Sequence, residues 1–251
     1  MFKPKVFEVA PGIYCIYRKS YYNCTYLIHR NEEVILIDAS MKSDGGDVFY
    51  AMKQLKLPLE SIKAILITHW HNDHTAGTKA VKDATQAKVY CHPADVPNMD
   101  HSLGRNPFYK RIADAVPELG PMVLFKGLIG EMVPRAVKID ETIEDGDIIC
   151  NSFEVITTPG HTPGHVAIYD QESKTLFAGD ALACIRGKLR FMARPVTPDL
   201  PNARQSMKKV LERDIQLICP GHRQPLTQHV QSEIDRMRKY LDASKNWPYW
   251  G

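Results

Sequence analysis

The sequence predicts an α/β fold of two packed sheets with helices on the outside, and three observations predict it. The chain reads as two strand-rich halves, each ending in helical segments. Neither a Gly/Ser linker nor a low-complexity tract divides them. Hydrophobic residues make up 44% of the 251 positions, enough for a substantial core. A sheet is apolar on at least one face and must bury it, so two sheets in one chain pack together and leave helices to cover the rest. Residues 1–251 are therefore read as a single domain.

The elements follow in order. Residues 6–9, 12–18, 24–29 and 34–38 are apolar or β-branched runs separated by turn formers, the pattern of an antiparallel meander. Residues 44–55 carry Val48, Met52 and Leu55 at helical spacing and lead into the apolar run 64–67, a buried strand. A second helix (77–84) and strand (88–91) come next. The pattern then turns irregular to about residue 135. The second half offers strands at 148–156, 166–169 and 175–178, a helix at 202–213, a strand at 217–219 and a last helix at 228–244.

Composition removes several classes of function. A formal net charge of +3, with 24% of residues charged, forms no dense basic patch, so no nucleic-acid partner is expected. No segment is long and apolar enough for a bilayer, so no membrane partner is expected either. The N-terminus, Met1-Phe2-Lys3-Pro4-Lys5, lacks a signal-peptide core, and the chain is expected to be soluble and cytoplasmic. Its six cysteines are far apart and form no C-x-x-C pair, which argues against a zinc ribbon or a disulfide scaffold and for reduced thiols buried in strands.

Chemistry is concentrated in Thr68-His69-Trp70-His71-Asn72-Asp73-His74, immediately after the strand at 64–67. Imidazole nitrogen and carboxylate oxygen suit zinc and several other transition metals. On a loop at a strand end, residues 69, 71, 73 and 74 can diverge around two adjacent ions. A helix would place 69 and 73 on one face instead. Three later pieces repeat the placement of a donor just beyond a strand: Thr158-Pro159-Gly160-His161-Thr162-Pro163-Gly164-His165, Phe177-Ala178-Gly179-Asp180 and Cys219-Pro220-Gly221-His222.

This ordered series, from Asp38 to His222, resembles the metallo-β-lactamase superfamily, particularly its glyoxalase II-like hydrolases. The resemblance implies an αββα sandwich of two mixed β-sheets flanked by helices, with the metals at one edge. It also implies two divalent ions, zinc first, with iron or manganese as alternatives. His69, His71 and His161 would hold one ion and Asp73, His74 and His222 the other, with Asp180 bridging. Asp73 would also accept a proton or orient the nucleophile, and Asp38 would support the ligand loop by hydrogen bonding. His165 falls in the same motif, but the family pattern uses the first histidine, so it is read as packed or hydrogen-bonded. His29, His92, His101 and His229 have no ligand-like context, and Cys184 is read as a small buried side chain.

The implied reaction is hydrolysis of an ester, thioester or lactone by metal-activated water, on a small-molecule substrate and in a chain free to form a homo-oligomer. Asp180 stands where true β-lactamases of the superfamily generally lack an acid, which disfavours antibiotic hydrolysis. Ala183 replaces the tyrosine expected of acyl-homoserine lactonases, and the chain ends too soon for the helical region with which glyoxalase II binds glutathione. The alternative from another class is a mononuclear iron persulfide dioxygenase-like enzyme, which shares nearly the same ligands. Two segments are candidate substrate walls. Residues 95–135 are an apolar-rich insertion that would form a lid or cover a sheet. Residues 181–198 carry Arg186, Lys188, Arg190 and Arg194 and no acid, and would attract an anionic group or stay a solvated basic loop.

Overall fold

A computed structural model describes residues 3–19, 22–100, 136–244 and 246–249. These fall into two compact units, Met1–Tyr90 with Val96–Glu141, and Cys91–Asp95 with Thr142–Gly251. Each is built on a mixed sheet with helices beside it. Nearly all of the 95–135 insertion, including every residue after 100, lies outside the described residues.

In the first unit, β1 (Lys5–Ala10), β2 (Ile13–Arg18), β3 (Asn23–Arg30) and β4 (Glu33–Ile37) form the expected antiparallel meander. Helix α1 (Gly46–Leu55) crosses over to β5 (Ile62–Leu66), which pairs parallel to β4. The short α2 (Asn72–Thr75) and α3 (Thr78–Thr85) then lead to β6 (Lys88–Cys91), parallel to β5. Helix α4 (Val96–Asp100) follows, and β7 (Glu141–Thr142) lies at the sheet's edge. The parallel strands are apolar on both faces. Ile35, Leu36, Ala64, Ile65, Leu66 and Val89 are all buried, as strands of this kind require.

The second unit contains β8 (Ile148–Ile149), β9 (Phe153–Thr157), β10 (Val166–Asp170) and β11 (Thr175–Gly179) as an antiparallel run. Beyond β12 (Ala183–Ile185), β13 (Lys188–Arg190) and α5 (Leu200–Leu211), β14 (Leu217–Pro220) pairs parallel to β11. The chain closes on α6 (Val230–Ala243). Met207, Val210 and Leu211 of α5 and Ile234, Met237 and Leu241 of α6 recur at helical spacing and join one buried cluster with Leu176, Ala178 and Ile218 of the sheet.

Three details depart from the sequence reading. The strand expected at 148–156 is two strands, because Cys150 and Asn151 both adopt positive φ and turn the chain between them. Residues 72–75, read as loop, form one helical turn too short to show periodicity. The basic segment 181–198 contains the β12–β13 hairpin, whose three-residue strands are below the length that alternation can reveal. Five of the six cysteines are buried, and Cys150, in the turn, is exposed.

Candidate metal centre

Strand direction explains how the donors assemble. In the second unit β9 and β11 each run antiparallel to β10, and β14 runs parallel to β11, so all three point the same way. The loops that follow them carry His161, Asp180 and His222, and therefore leave the sheet at one edge. Open sheets of this kind place their functional loops at the carboxyl ends of such strands. The first unit obeys the same rule, since β4 and β5 are parallel and are followed by Asp38 and by Thr68–His69.

The first unit gathers His69, His71, Asp73 and His74. Ligand atoms of His69 and His71 lie within 4.8 Å of each other, as do those of His69 and His74. His74 Nε2 is 3.6 Å from Asp73 Oδ2. Asp38 organises these residues from behind. Its carboxylate accepts from the Thr68 N–H at 2.8 Å and the Thr68 hydroxyl at 2.9 Å, and meets His74 Nδ1 at 2.7 Å. The Thr68 hydroxyl in turn takes His69 Nδ1 at 3.0 Å. Both imidazoles thus have Nδ1 engaged by an acceptor, which assigns the proton to that nitrogen and leaves the Nε2 lone pair for a cation. The helical turn α2 is docked by backbone bonds, Ala39 N–H to His74 O at 2.8 Å and Gly77 N–H to Ser40 O at 3.2 Å. Trp70 stands edge-on to His71, with centroids 4.5 Å apart.

The second unit gathers His161, Asp180 and His222. Asp180 Oδ2 is 3.3 Å from His161 Nε2 and 3.4 Å from His222 Nε2, so one carboxylate oxygen is close to imidazoles of two different loops. His161 Nδ1 meets the Val196 carbonyl at 2.5 Å, again leaving Nε2 for the site. His165 differs. Its Nδ1 pairs with the Thr158 hydroxyl at 2.6 Å and its Nε2 accepts the Asp180 N–H at 2.8 Å. Both nitrogens are engaged, so His165 positions Asp180 and has no lone pair left for a metal. The loops after β11 and β14 are joined by the Gly221 N–H to Gly179 carbonyl bond at 2.7 Å.

Two residues that hold the His161 loop were not singled out from the sequence. Asp95 is fully buried and accepts from the Thr162 hydroxyl and the Gly164 N–H, each at 2.8 Å. The sequence signal was weak, because Asp38 directly follows β4, which ends at Ile37, whereas His92, Pro93 and Ala94 separate Asp95 from β6, which ends at Cys91. Asp145 accepts from the Thr157 N–H at 2.8 Å and from Lys209 Nζ at 2.5 Å, fixing the end of β9. Burial pushes its carboxyl up, but Lys209 and Thr157 outweigh that and hold it below the ordinary range. Gly160, at φ +141°, runs against α5, where a Cβ would lie 2.5 Å from the Ala203 backbone.

The donor set fits divalent ions that accept nitrogen and oxygen. Histidines predominate, and three of them carry the hydrogen-bonded Nδ1 that metal-ligating imidazoles usually show. Residues 20–222 match the family model described as the metallo-beta-lactamase superfamily. A probable metallo-hydrolase of Bacillus subtilis is 24% identical over 230 residues, covering 83% of each chain. A hydroxyacylglutathione hydrolase of Pseudomonas entomophila is 31% identical over 145 residues, covering 55% of this chain and 41% of that enzyme. Among solved structures, a metallo-beta-lactamase family protein of Thermus thermophilus superposes with a TM-score of 0.66 at 20% identity, covering 94% of this chain and 81% of that one.

Proposed function

The chain belongs to the metallo-beta-lactamase superfamily and is a metal-dependent hydrolase, and on that premise we propose that it holds two divalent ions, zinc first, and hydrolyses a small ester, thioester or lactone. His69, His71 and His161 would hold one ion and Asp73, His74 and His222 the other. The observation that carries the dinuclear reading is Asp180 Oδ2, which lies 3.3 Å from His161 Nε2 and 3.4 Å from His222 Nε2. A carboxylate so placed can serve both ions at once.

When bound, the ions supply Lewis acidity and lower the pKa of a water molecule. The protein's own residues do the rest. Asp38, through Thr68 and His74, and Val196, through His161, keep the proton on Nδ1 and the rings in one orientation. His165 fixes the Asp180 backbone and so the carboxylate's place. Asp73, on the first turn of α2 and 6% exposed, would hold an ion first, and its carboxylate would also accept a proton or orient the nucleophile. The likeness to a hydroxyacylglutathione hydrolase puts thioesters first among the substrates.

Metal quantification on protein purified without added metal, followed by a panel of ester, thioester and lactone substrates, tests the reading. We expect two divalent ions per chain, hydrolysis in the panel, and in Asp180→Asn a metal content falling toward one with loss of turnover. One iron per chain with oxygen consumption on a persulfide would replace hydrolysis with dioxygenation. Unchanged metal content and rate in Asp180→Asn would remove the bridging role.

A further inference from the structure

After α6 the chain stays on the fold. Arg204 of α5 donates to the carbonyls of Leu241 and Ser244, which satisfies the last turn of α6 with a cation and ties that end of the helix to α5. Residues 246–249 then lie on the segment that follows β13. The Trp247 indole N–H donates to the Met192 carbonyl at 2.8 Å, and its ring stands edge-on to Phe191 with centroids 4.6 Å apart. Two residues further on, the Tyr249 carbonyl accepts the Arg194 N–H at 3.0 Å.

What these residues hold is Arg194–Val196, a single turn of 3-10 helix. Arg194, Pro195 and Val196 are all exposed, so the turn buries little of its own and its place depends on backbone hydrogen bonds. Yet it carries the Val196 carbonyl, which meets Nδ1 of His161, 35 residues earlier in the chain, at 2.5 Å. A carbonyl can only accept, so this contact keeps the proton on Nδ1 and leaves Nε2 facing Asp180 Oδ2 at 3.3 Å. The bonds thus run from Trp247 and Tyr249 to Met192 and Arg194, and from Val196 to His161. The indole also walls, with Met192 and Thr197, a recess of about 10 Å³ that reaches His161 and Asp180. That space admits one water and no more.

We infer that residues 246–249 position the His161 imidazole, with Trp247 as their anchor. The indole N–H holds the 192–196 segment where the Val196 carbonyl fixes the ring, and the indole itself narrows the access of water to it. Trp247 acts through Met192 and Val196 and is a positioning residue. The consequence for an ion at His161 rests on the ligand set proposed above; the hold on the ring does not.

The test compares wild type with two variants of the full chain. Trp247→Phe keeps a ring against Phe191 and removes the N–H donor. Ile234→Val trims a fully buried side chain of α6 and touches no hydrogen bond, so it lowers stability through packing alone. In the first arm the His161 Nδ1–H, assigned by its loss in His161→Gln, is followed by proton–nitrogen NMR on the protein as purified, with its metal. Its exchange with water should be about fivefold faster in Trp247→Phe, the factor set by one neutral hydrogen bond, and unchanged in Ile234→Val. In the second arm, chelator competition should release one ion about fivefold more readily from Trp247→Phe and the other as in wild type. Wild-type exchange in Trp247→Phe would overturn the inference. Faster exchange in both variants, in step with their unfolding temperatures, would leave Trp247 a purely structural role and overturn it as well. Faster exchange in Trp247→Phe alone, with the release of both ions unchanged, would uphold the hold on the ring and overturn its bearing on the metal. The same exchange result in a protein that binds no ion at His161 would uphold the positioning and sink the proposed ligand set.

Discussion

Asp38 accepts at once from the Thr68 N–H, the Thr68 hydroxyl and the His74 ring, and it does so from a backbone at φ 64°. Asparagine tolerates that conformation and keeps the shape, but loses the charge that favours His74 Nδ1–H. Asp38→Asn should therefore fold and weaken metal binding by about 10- to 100-fold, the usual effect of removing a partner behind a metal-binding histidine. Chelator competition measures this, and an unchanged affinity would show that Asp38 serves only the backbone. At this scale the sequence was informative where residue type and strand end coincide, as at Asp38 and the histidines proposed as ligands. It said nothing of the Val196 carbonyl behind His161, because a backbone acceptor 35 residues away leaves no mark in side-chain chemistry.

Between strand and helix, the decisive contacts are made by short connecting segments. Gly77 lies where α2 meets the Ala39–Ser40 backbone, and a Cβ there would collide with the Ala39 carbonyl oxygen. Gly77→Ala should cost about 1–3 kcal/mol, since the obstacle is backbone and cannot rotate away. Denaturant unfolding of the metal-free protein reads this directly, and a cost near zero would mean that the α2 dock is loose. Asp145 acts similarly at the end of β9. Its folded pKa is depressed, so its contribution is present above the unfolded value of about 3.9 and is lost as the pH falls through the folded value. Half-exposed as it is, the Asp145–Lys209 pair is worth under about 1 kcal/mol. Asp145→Asn should unfold at a slightly lower temperature than wild type at pH 7, and the two metal-free proteins should converge below about pH 4. A gap that persists in acid would contradict the linkage. Long apolar strands such as β5 and amphipathic helices such as α6 were legible in advance. The turn at Cys150–Asn151, the single turn of α2 and the β12–β13 hairpin were not, because each is shorter than one period of the pattern that would disclose it.

Across the whole molecule, the proposed donors are spread along the chain from His69 to His222. Ligands that bind only the folded chain stabilise it by about 2.7 kcal/mol at a hundredfold excess over Kd. Chelation should therefore lower the unfolding temperature by roughly 5–10 °C, and adding back zinc should restore it. Calorimetry showing no change would mean that no ion is held by folded structure. The position of the candidate donor residues beyond apolar strands could be read from the chain alone, since residue type and strand hydrophobicity are local properties. Folding was needed to make β9, β11 and β14 run in one direction, to use up both nitrogens of His165 while keeping Nε2 of His161 for the site, and to bring residues 246–249 against the segment that follows β13. Each of these depends on strand register and long-range hydrogen bonding, which arise between segments distant in sequence and are encoded in neither one alone.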